Sequence, residues 1–391
     1  MFVAAGYSGV RVCGCDLRPM NTLTVETLAS LEADLEQGIG FPAEFYTDPA
    51  ITELEYAHIF HRSWQYFCRT AQLANHGDTV TGVVGRTPVV VVRQGDAINA
   101  FVNVCRHRRH LVAEGCGNRK ILLCHYHGWS YGLDGSLKAA PRADGDEGFC
   151  KADFGLIPAR AETWGPWVFV HLDPAAAPLA ETLGRLPDIV ASSGIDLEAL
   201  EFHGRTEWEA KANWKVMLEN YLECYHCAIA HPGFSQMIDV DPDAYVLEPH
   251  EWFSSQIAHV KASALSGEGK KPKYAAAGAI TQAQYHWLFP NFTININPGF
   301  PNLSLDVWLP LGPNRAHGFS EQYFGAGVDE AWAKELMAFN EEVGAEDDEL
   351  TDAVQQGLIG GQPARGRYIR HAEQLPIHFN RHILRALRGA V

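Results

Sequence analysis

Four residues in two short segments carry the first chemistry in this chain. Cys105 and His107 stand in CRH (105–107), and Cys124 and His127 stand in CHYH (124–127). The pattern is CxHx16CxxH, with one thiolate and one imidazole in each half. A zinc finger ordinarily draws paired cysteines from one hairpin and paired histidines from a helix. Two facing loops with mixed pairs can instead sort their ligands by type, both cysteines on one iron of a [2Fe-2S] cluster and both histidines on the other. Neutral imidazoles then raise the reduction potential above that of an all-thiolate cluster. A structural zinc site is the competing chemistry for the same four residues. Gly128 and Trp129 follow directly. A glycine there permits close backbone approach and a large ring can keep water off a cluster, which favours the redox reading.

A second constellation lies in ANWKVMLENYLECYHCAIAHPGF (212–234). Helical spacing puts Asn220, Glu223 and His226 at steps of three, near one face. His231 follows five positions on, about 140° past a full turn. The two imidazoles can therefore converge only if the helix ends or bends between them, and Pro232 with Gly233 marks the stop. On spacing alone a core or hydrogen-bonded histidine pair is the commoner arrangement. A mononuclear iron that binds dioxygen needs two histidines and one carboxylate on one side, with positions left open. AEDDELTDAVQQGL (345–358) offers the carboxylate. Glu341, Glu342, Glu346, Asp348 and Glu349 read mostly as solvated residues suited to a helix N-terminus. Asp347, Leu350, Val354 and Leu358 fall at i, i+3, i+7 and i+11, which places Asp347 on the buried stripe, where an unpaired carboxylate is costly. A cation resolves that cost, with Asp348 as the fallback ligand.

The segments CRHR (105–108) and CHYHGWSYGLDGSL (124–137) resemble the Rieske domain of the ring-hydroxylating oxygenases. NWKxxxENYxECYHCxxxHP, EDDELTDAVQQGL and WLFPNFTININPG (287–299) resemble their catalytic domain, in the same order. The similarity runs over most of the chain from about residue 40. It implies an α+β fold: an N-terminal all-β Rieske domain, then an α+β catalytic domain with an antiparallel sheet packed by helices. It also implies a Rieske [2Fe-2S] cluster on Cys105, His107, Cys124 and His127, and mononuclear Fe(II) on His226, His231 and Asp347. The expected activity is that of a terminal oxygenase subunit, using O2 and electrons from an NAD(P)H-dependent reductase, with or without a ferredoxin. The family forms head-to-tail homotrimers in which a carboxylate links the histidines of neighbouring subunits' centres, a position that maps onto Glu223.

Two departures from the family pattern matter. Glycine usually follows CxHR, whereas this chain has Arg109. Most aromatic-ring dioxygenases carry aspartate where this chain has Glu223, while glutamate is typical of relatives that oxidise carnitine, choline or glycine betaine. The resemblance therefore implies oxygenation and N-demethylation of a small quaternary ammonium compound, with cis-diol formation on an aromatic ring as the alternative. Trp252, Phe253, Tyr285, Trp287 and Phe289 are candidates to face a quaternary nitrogen, although core packing is the commoner fate of strand aromatics.

Composition agrees with an enzyme of this kind. The chain has 391 residues, 47% hydrophobic and 20% charged, enough for two domains. A formal net charge of -16 argues against nucleic acid or an anionic membrane as partner, and no apolar run reaches the length of a span. Nine cysteines, two of them taken as cluster ligands, fit a reducing cytoplasm better than a secreted disulfide framework. Residues 1–19 read as a disordered leader or an upstream start. Helical spacing of Leu23, Leu28, Leu31 and Leu35 follows Met20. β-branched runs at 79–85, 87–93 and 98–104 predict antiparallel strands that lead into the first ligand loop. ILLC (121–124) leads into the second, and 164–174 reads as the closing strand. The expected division is 20–62 as a helical part of the catalytic domain, 63–175 as the Rieske domain and 176–391 as the catalytic domain.

Overall fold

The computed structural model describes residues 23–266 and 272–391, so the leader expected at 1–19 lies outside the described residues. The leucine period that follows becomes the helix Val25–Glu36. The Thr24 hydroxyl caps its start by accepting the Thr27 amide, and Leu28, Leu31 and Leu35 are its buried residues.

The valine-rich runs form the strands Asp78–Val84, Thr87–Gln94 and Ala97–Val102, within a residue or two of expectation. They belong to a seven-stranded antiparallel sheet that also takes in Pro158–Trp164, Trp167–His171 and Gln65–Arg69. Leu122–Leu123, Ser130–Tyr131 and Leu137–Ala139 make a small antiparallel meander, with the second ligand loop between its first two strands. One apolar cluster joins the two sheets through Val90, Val92, Phe101, Leu122 and Tyr131, and it takes in the Cys105 and Cys124 side chains. Both thiols are thus anchored in a packed core, while both imidazoles stand at the surface.

A second seven-stranded antiparallel sheet runs in the order Leu200–Ala210, Arg315–Gly325, Asn302–Gly312, Phe292–Ile296, Gln282–Leu288, Phe253–His259, Val246–Pro249. Alternation along Asn302–Gly312 separates its two faces. Leu303, Leu305 and Val307 pack with Trp64, Trp167 and Phe169, so the two sheets share a core. Ser304, Asp306 and Trp308 face a cavity on the other side. Glu321, buried at the join, accepts hydrogen bonds from Tyr66 (2.8 Å) and Tyr323 (2.5 Å) and pairs with Arg205 at 3.1 Å. The expected α+β organisation is thus what the chain adopts. Among the described residues no helix is long and apolar enough to cross a membrane.

The helix Glu330–Gly360 lies against the cavity side. Asp329 caps it through the Trp332 amide (2.9 Å), and Gly361 ends it at φ 68°. The acidic run 341–349 is therefore mid-helix and not at an N-terminus, as its composition suggested. Its buried stripe also differs from expectation, because Thr351 and Gln355 are buried while Val354 is exposed. Gln355 faces inward because its side-chain oxygen accepts the Asn213 amide at 2.8 Å, the N-cap of the helix Trp214–Tyr221. A polar docking contact has taken the place of an apolar one.

The N-terminal helices pack on the second unit. Leu28, Leu31, Phe41, Phe45 and Phe60 share a core with Trp214, Leu218, Phe379 and Ile383. Within it, Glu55 and Lys215 form an ion pair with no solvent exposure on either side chain, and Trp214 Nε1 donates to the other Glu55 oxygen at 2.8 Å. Removing one member of such a pair strands a buried charge. Glu55→Ala is expected to cost about 3–5 kcal/mol in denaturant unfolding, with Glu55→Gln milder because a hydrogen bond survives.

Candidate active site

The two Cys/His loops are the same turn made twice. In the first, the Cys105 amide donates to His110 O (2.8 Å) and the Arg109 amide donates back to Cys105 O (3.0 Å). In the second, the Cys124 amide donates to Trp129 O (2.8 Å) and the Gly128 amide to Cys124 O (3.0 Å). The closing residue must take left-handed backbone, and it does so at Arg109 (φ 60°) and Gly128 (φ 73°). Glycine takes that conformation freely, whereas arginine is strained there. The Arg109 departure noted in the sequence therefore falls on a position with a conformational demand, and its exposed side chain leaves the ligand positions alone.

The loops bring the His107 and His127 rings to 4.6 Å between centroids. Trp129, buried, stacks on His107 at 5.0 Å and 8°. The Tyr131 hydroxyl lies 3.2 Å from Cys105 Sγ and accepts the Arg106 amide at 3.0 Å. Burial pushes the Cys124 thiol up, a cost that a bound iron removes by holding the thiolate. Two buried sulfurs and two exposed, adjacent imidazoles fit a Rieske cluster, with its histidine side presented to solvent.

The second constellation is built differently from its sequence reading. The helix stops at Tyr221, so Glu223 lies in a loop and not on a helical face. The cause is local: Glu223 Oε2 accepts the Tyr225 and His226 amides, which a continuing helix would have given to carbonyls. Cys224 and Cys227 close a disulfide across the same turn. A single turn, Cys227–Ala230, then separates His226 from His231, and Pro232 opens the helix Pro232–Met237.

His226 and His231 converge with Nε2 atoms 3.0 Å apart. Asp347 Oδ1 lies 3.0 Å from His231 Nε2 and 3.6 Å from His226 Nε2. Ligand atoms of these three residues all fall within 4.8 Å of one another, an arrangement that could hold a metal ion. The outer nitrogens both meet carboxylates. His226 Nδ1 meets Glu223 Oε1, and His231 Nδ1 meets Glu346 Oε2 at 2.7 Å. A neutral imidazole has one N–H. Spent on these carboxylates, it leaves both Nε2 lone pairs facing each other and Asp347, a repulsive set that a cation satisfies. Burial lowers the His231 pKa, but Asp347 and Glu346 outweigh it and raise it overall, so a proton competes for the same place. Asn220 Nδ2 donates to Asp347 Oδ1 at 2.6 Å and fixes its orientation. Asp348, the fallback ligand, is exposed and takes no part in the cluster of donors.

Glu346 is the functional residue that the sequence reading missed, having been grouped with solvated carboxylates. Only its neighbour Asp347 hinted at a role. A cavity of about 420 Å³ opens beside the three donors, lined by Tyr221, Phe234, Tyr285, Trp208, Trp308 and Asp306 among others. Of the five aromatic candidates, Tyr285 alone lines it. Trp252 and Phe289 border a separate cavity with His171, and Phe253 and Trp287 fill the cores.

A cluster-binding β domain followed by a sheet-and-helix unit with a two-histidine, one-carboxylate centre defines a Rieske-type oxygenase. Residues 63–152 match the Rieske [2Fe-2S] domain, and residues 197–389 match the catalytic domain of the ring hydroxylating alpha subunit. The chain belongs to the Rieske oxygenase family, as an oxygenase subunit. It is 30% identical over 348 residues to the chloroplastic choline monooxygenase of Spinacia oleracea, covering 87% of this chain and 76% of that one. It is 31% identical over 333 residues to the carnitine monooxygenase oxygenase subunit of Acinetobacter pittii, covering 84% and 87%. Among solved structures it superposes on the quaternary ammonium Rieske monooxygenase CntA bound to γ-butyrobetaine with a TM-score of 0.75. The identity there is 26%, over 91% of this chain and 98% of that one. Naphthalene 1,2-dioxygenase from Rhodococcus sp., at 19% identity and a TM-score of 0.76, shares the fold.

Two measurements follow from this geometry. Arg109→Gly relieves a left-handed arginine and should stabilise the protein by about 1 kcal/mol, read as a higher melting temperature with an unchanged visible spectrum. Glu346→Ala frees the outer nitrogen of His231 and should weaken ferrous iron binding roughly 10–100-fold while sparing the cluster, as measured by iron titration of apoprotein.

Proposed function

We propose that this chain is the oxygenase component of a multi-component system that oxidises a small quaternary ammonium compound at an N-methyl group. The observation that carries the reading is the set of relatives. The choline and carnitine monooxygenases match it across most of their own lengths, and the superposed CntA structure holds a quaternary ammonium substrate.

In this reading Cys105, Cys124, His107 and His127 hold the cluster, and His226, His231 and Asp347 hold the iron. When bound, the two groups supply single electrons and the activation of dioxygen. The protein's own residues do the rest. Glu223 and Glu346 keep the imidazole protons on the outer nitrogens, and Asn220 orients the Asp347 carboxylate. The aromatic walls of the cavity exclude water from the substrate. Oxygenation of an N-methyl carbon consumes O2, two electrons and two protons and releases water. The resulting N–CH2OH group then loses formaldehyde and a proton, leaving the amine.

The electrons come from an NAD(P)H-dependent reductase, directly or through a ferredoxin. We assign the working form as a homotrimer, supported by the inter-subunit electron transfer described for CntA. There Glu223 is the link, one carboxylate spanning His226 of its own chain and a cluster histidine of the neighbour. Residues 63–175 then form the cluster domain, and 20–62 with 176–391 form the catalytic one, in a cytoplasmic enzyme.

Turnover with reductase, NADH and a panel of trimethylammonium compounds should release formaldehyde in step with NADH consumed. Cis-diol formation from an aromatic hydrocarbon, with no formaldehyde from the panel, would overturn the reading. Glu223→Gln should keep both metal centres and a dithionite-reducible cluster yet slow turnover by about 100-fold or more, since the electron path has lost its carboxylate.

A further inference from the structure

The cavity beside the iron centre contains a charge with no assigned use. Among the described residues no lysine or arginine lines it, but five carboxylates do: Glu223, Asp306, Glu341, Asp347 and Asp348. Glu223 and Asp347 are engaged at the imidazoles, and Glu341 and Asp348 stand exposed on the helix Glu330–Gly360. Asp306 is different. It sits half-buried on a central strand of the sheet that floors the cavity.

Its surroundings hold it in place without neutralising it. Asn295 Nδ2 donates to Asp306 Oδ2 at 2.6 Å, and Ser320 stands directly across the strand pair, where its hydroxyl favours the charged carboxylate. Asn295 Oδ1 in turn lies 2.9 Å from Tyr221 OH, which also stands 3.2 Å from His286 O and 3.1 Å from Ile294 O. Burial pushes the Asp306 carboxyl up and these two donors counteract it, with no basic side chain contributing. Even half-buried, an anion with no cation partner among the described residues is costly.

The next row of the sheet supplies the complement. Trp208, Gly318 and Trp308 are paired across three adjacent strands. The Trp208 ring lies over Gly318, where a Cβ would come within 2.5 Å of the indole. Trp308 packs near Tyr221 at 6.1 Å between centroids. Two indoles and a phenol therefore stand beside one carboxylate. Aromatic faces attract a cation and accept its methyl groups, while a buried carboxylate supplies the countercharge.

We propose that Asp306, flanked by Trp208, Trp308 and Tyr221, is the subsite for the substrate's cationic head, and that the substrate carries no carboxylate. The first part rests on the function proposed above and names the residue that selects for charge. The second follows from the cavity's own balance: among the described residues, apart from the two histidines assigned to the iron, a substrate carboxylate would meet acidic or neutral side chains there. A choline-like cation fits, and a zwitterionic betaine does not.

The test is calorimetric binding to the fully metallated oxygenase, with formaldehyde release measured in parallel. The probes are choline, its uncharged carbon isostere with carbon in place of nitrogen, tetramethylammonium and glycine betaine. The wild type should prefer choline to both the isostere and glycine betaine. Asp306→Asn, which keeps the Asn295 contact sterically, should weaken choline and tetramethylammonium roughly 30-fold or more and leave the isostere unchanged. Equal binding of choline and isostere, or an unaffected variant, would overturn the subsite. Tighter binding of glycine betaine would overturn the exclusion of a carboxylate. Should the variant lose its cluster spectrum, the wild-type comparison of choline with its isostere decides the matter alone. Asp306-dependent binding without formaldehyde from any probe would leave the subsite standing and remove the N-methyl oxidation reading.

Discussion

Two imidazoles whose outer nitrogens meet carboxylates and whose inner nitrogens face each other are the constraint on which this active site depends. His226 and His231 bring Nε2 atoms to 3.0 Å with Asp347 beside them, and when neutral rings give their N–H groups to Glu223 and Glu346 that set calls for a cation, for which a proton competes. The surrounding elements serve that geometry. The helix before it stops at Tyr221, a single turn spaces the histidines, and one long helix brings Glu346 to Nδ1 and Asp347 to Nε2 of the same His231 ring.

The cluster domain meets the same problem with a repeated turn instead of a helix. Each loop buries its cysteine in the apolar cluster and leaves its histidine at the surface. A cluster held there would have its histidine side toward solvent and its cysteine side shielded. The two units are not independent modules, since Trp167 and Phe169 pack directly on the second sheet and Glu321 gathers two tyrosines and an arginine at the join. That sheet has two chemical faces as well. One is an apolar contact with the cluster domain, and the other is a polar and aromatic floor under the cavity.

How far the sequence could be read depended on whether the determinant was local. The CxH and CxxH spacings, the β-branched strands and the HxxxxHP stop are short-range patterns, and they were legible. Glu223 reads as helical from its neighbours, yet its own carboxylate captures the following amides and ends the helix early. Asp347 was selected by a stripe of Leu350 and Val354, but the inward positions are Thr351 and Gln355, because a polar contact to Asn213 docks that face. Glu346 and Asp306 were beyond reach for one reason. A carboxylate on a helix or a strand reveals neither a ring nitrogen 115 positions away nor a cavity that only the folded sheet creates.

One chain would thus hold two iron centres of different kind, the second on His226, His231 and Asp347. Mössbauer spectroscopy of anaerobic protein enriched in iron-57 and reduced with dithionite tests it directly. The expected spectrum combines a coupled cluster pair with a separate high-spin ferrous doublet, and His231→Ala should delete the doublet alone. A spectrum without the pair, or a doublet that persists in His231→Ala, would contradict the account.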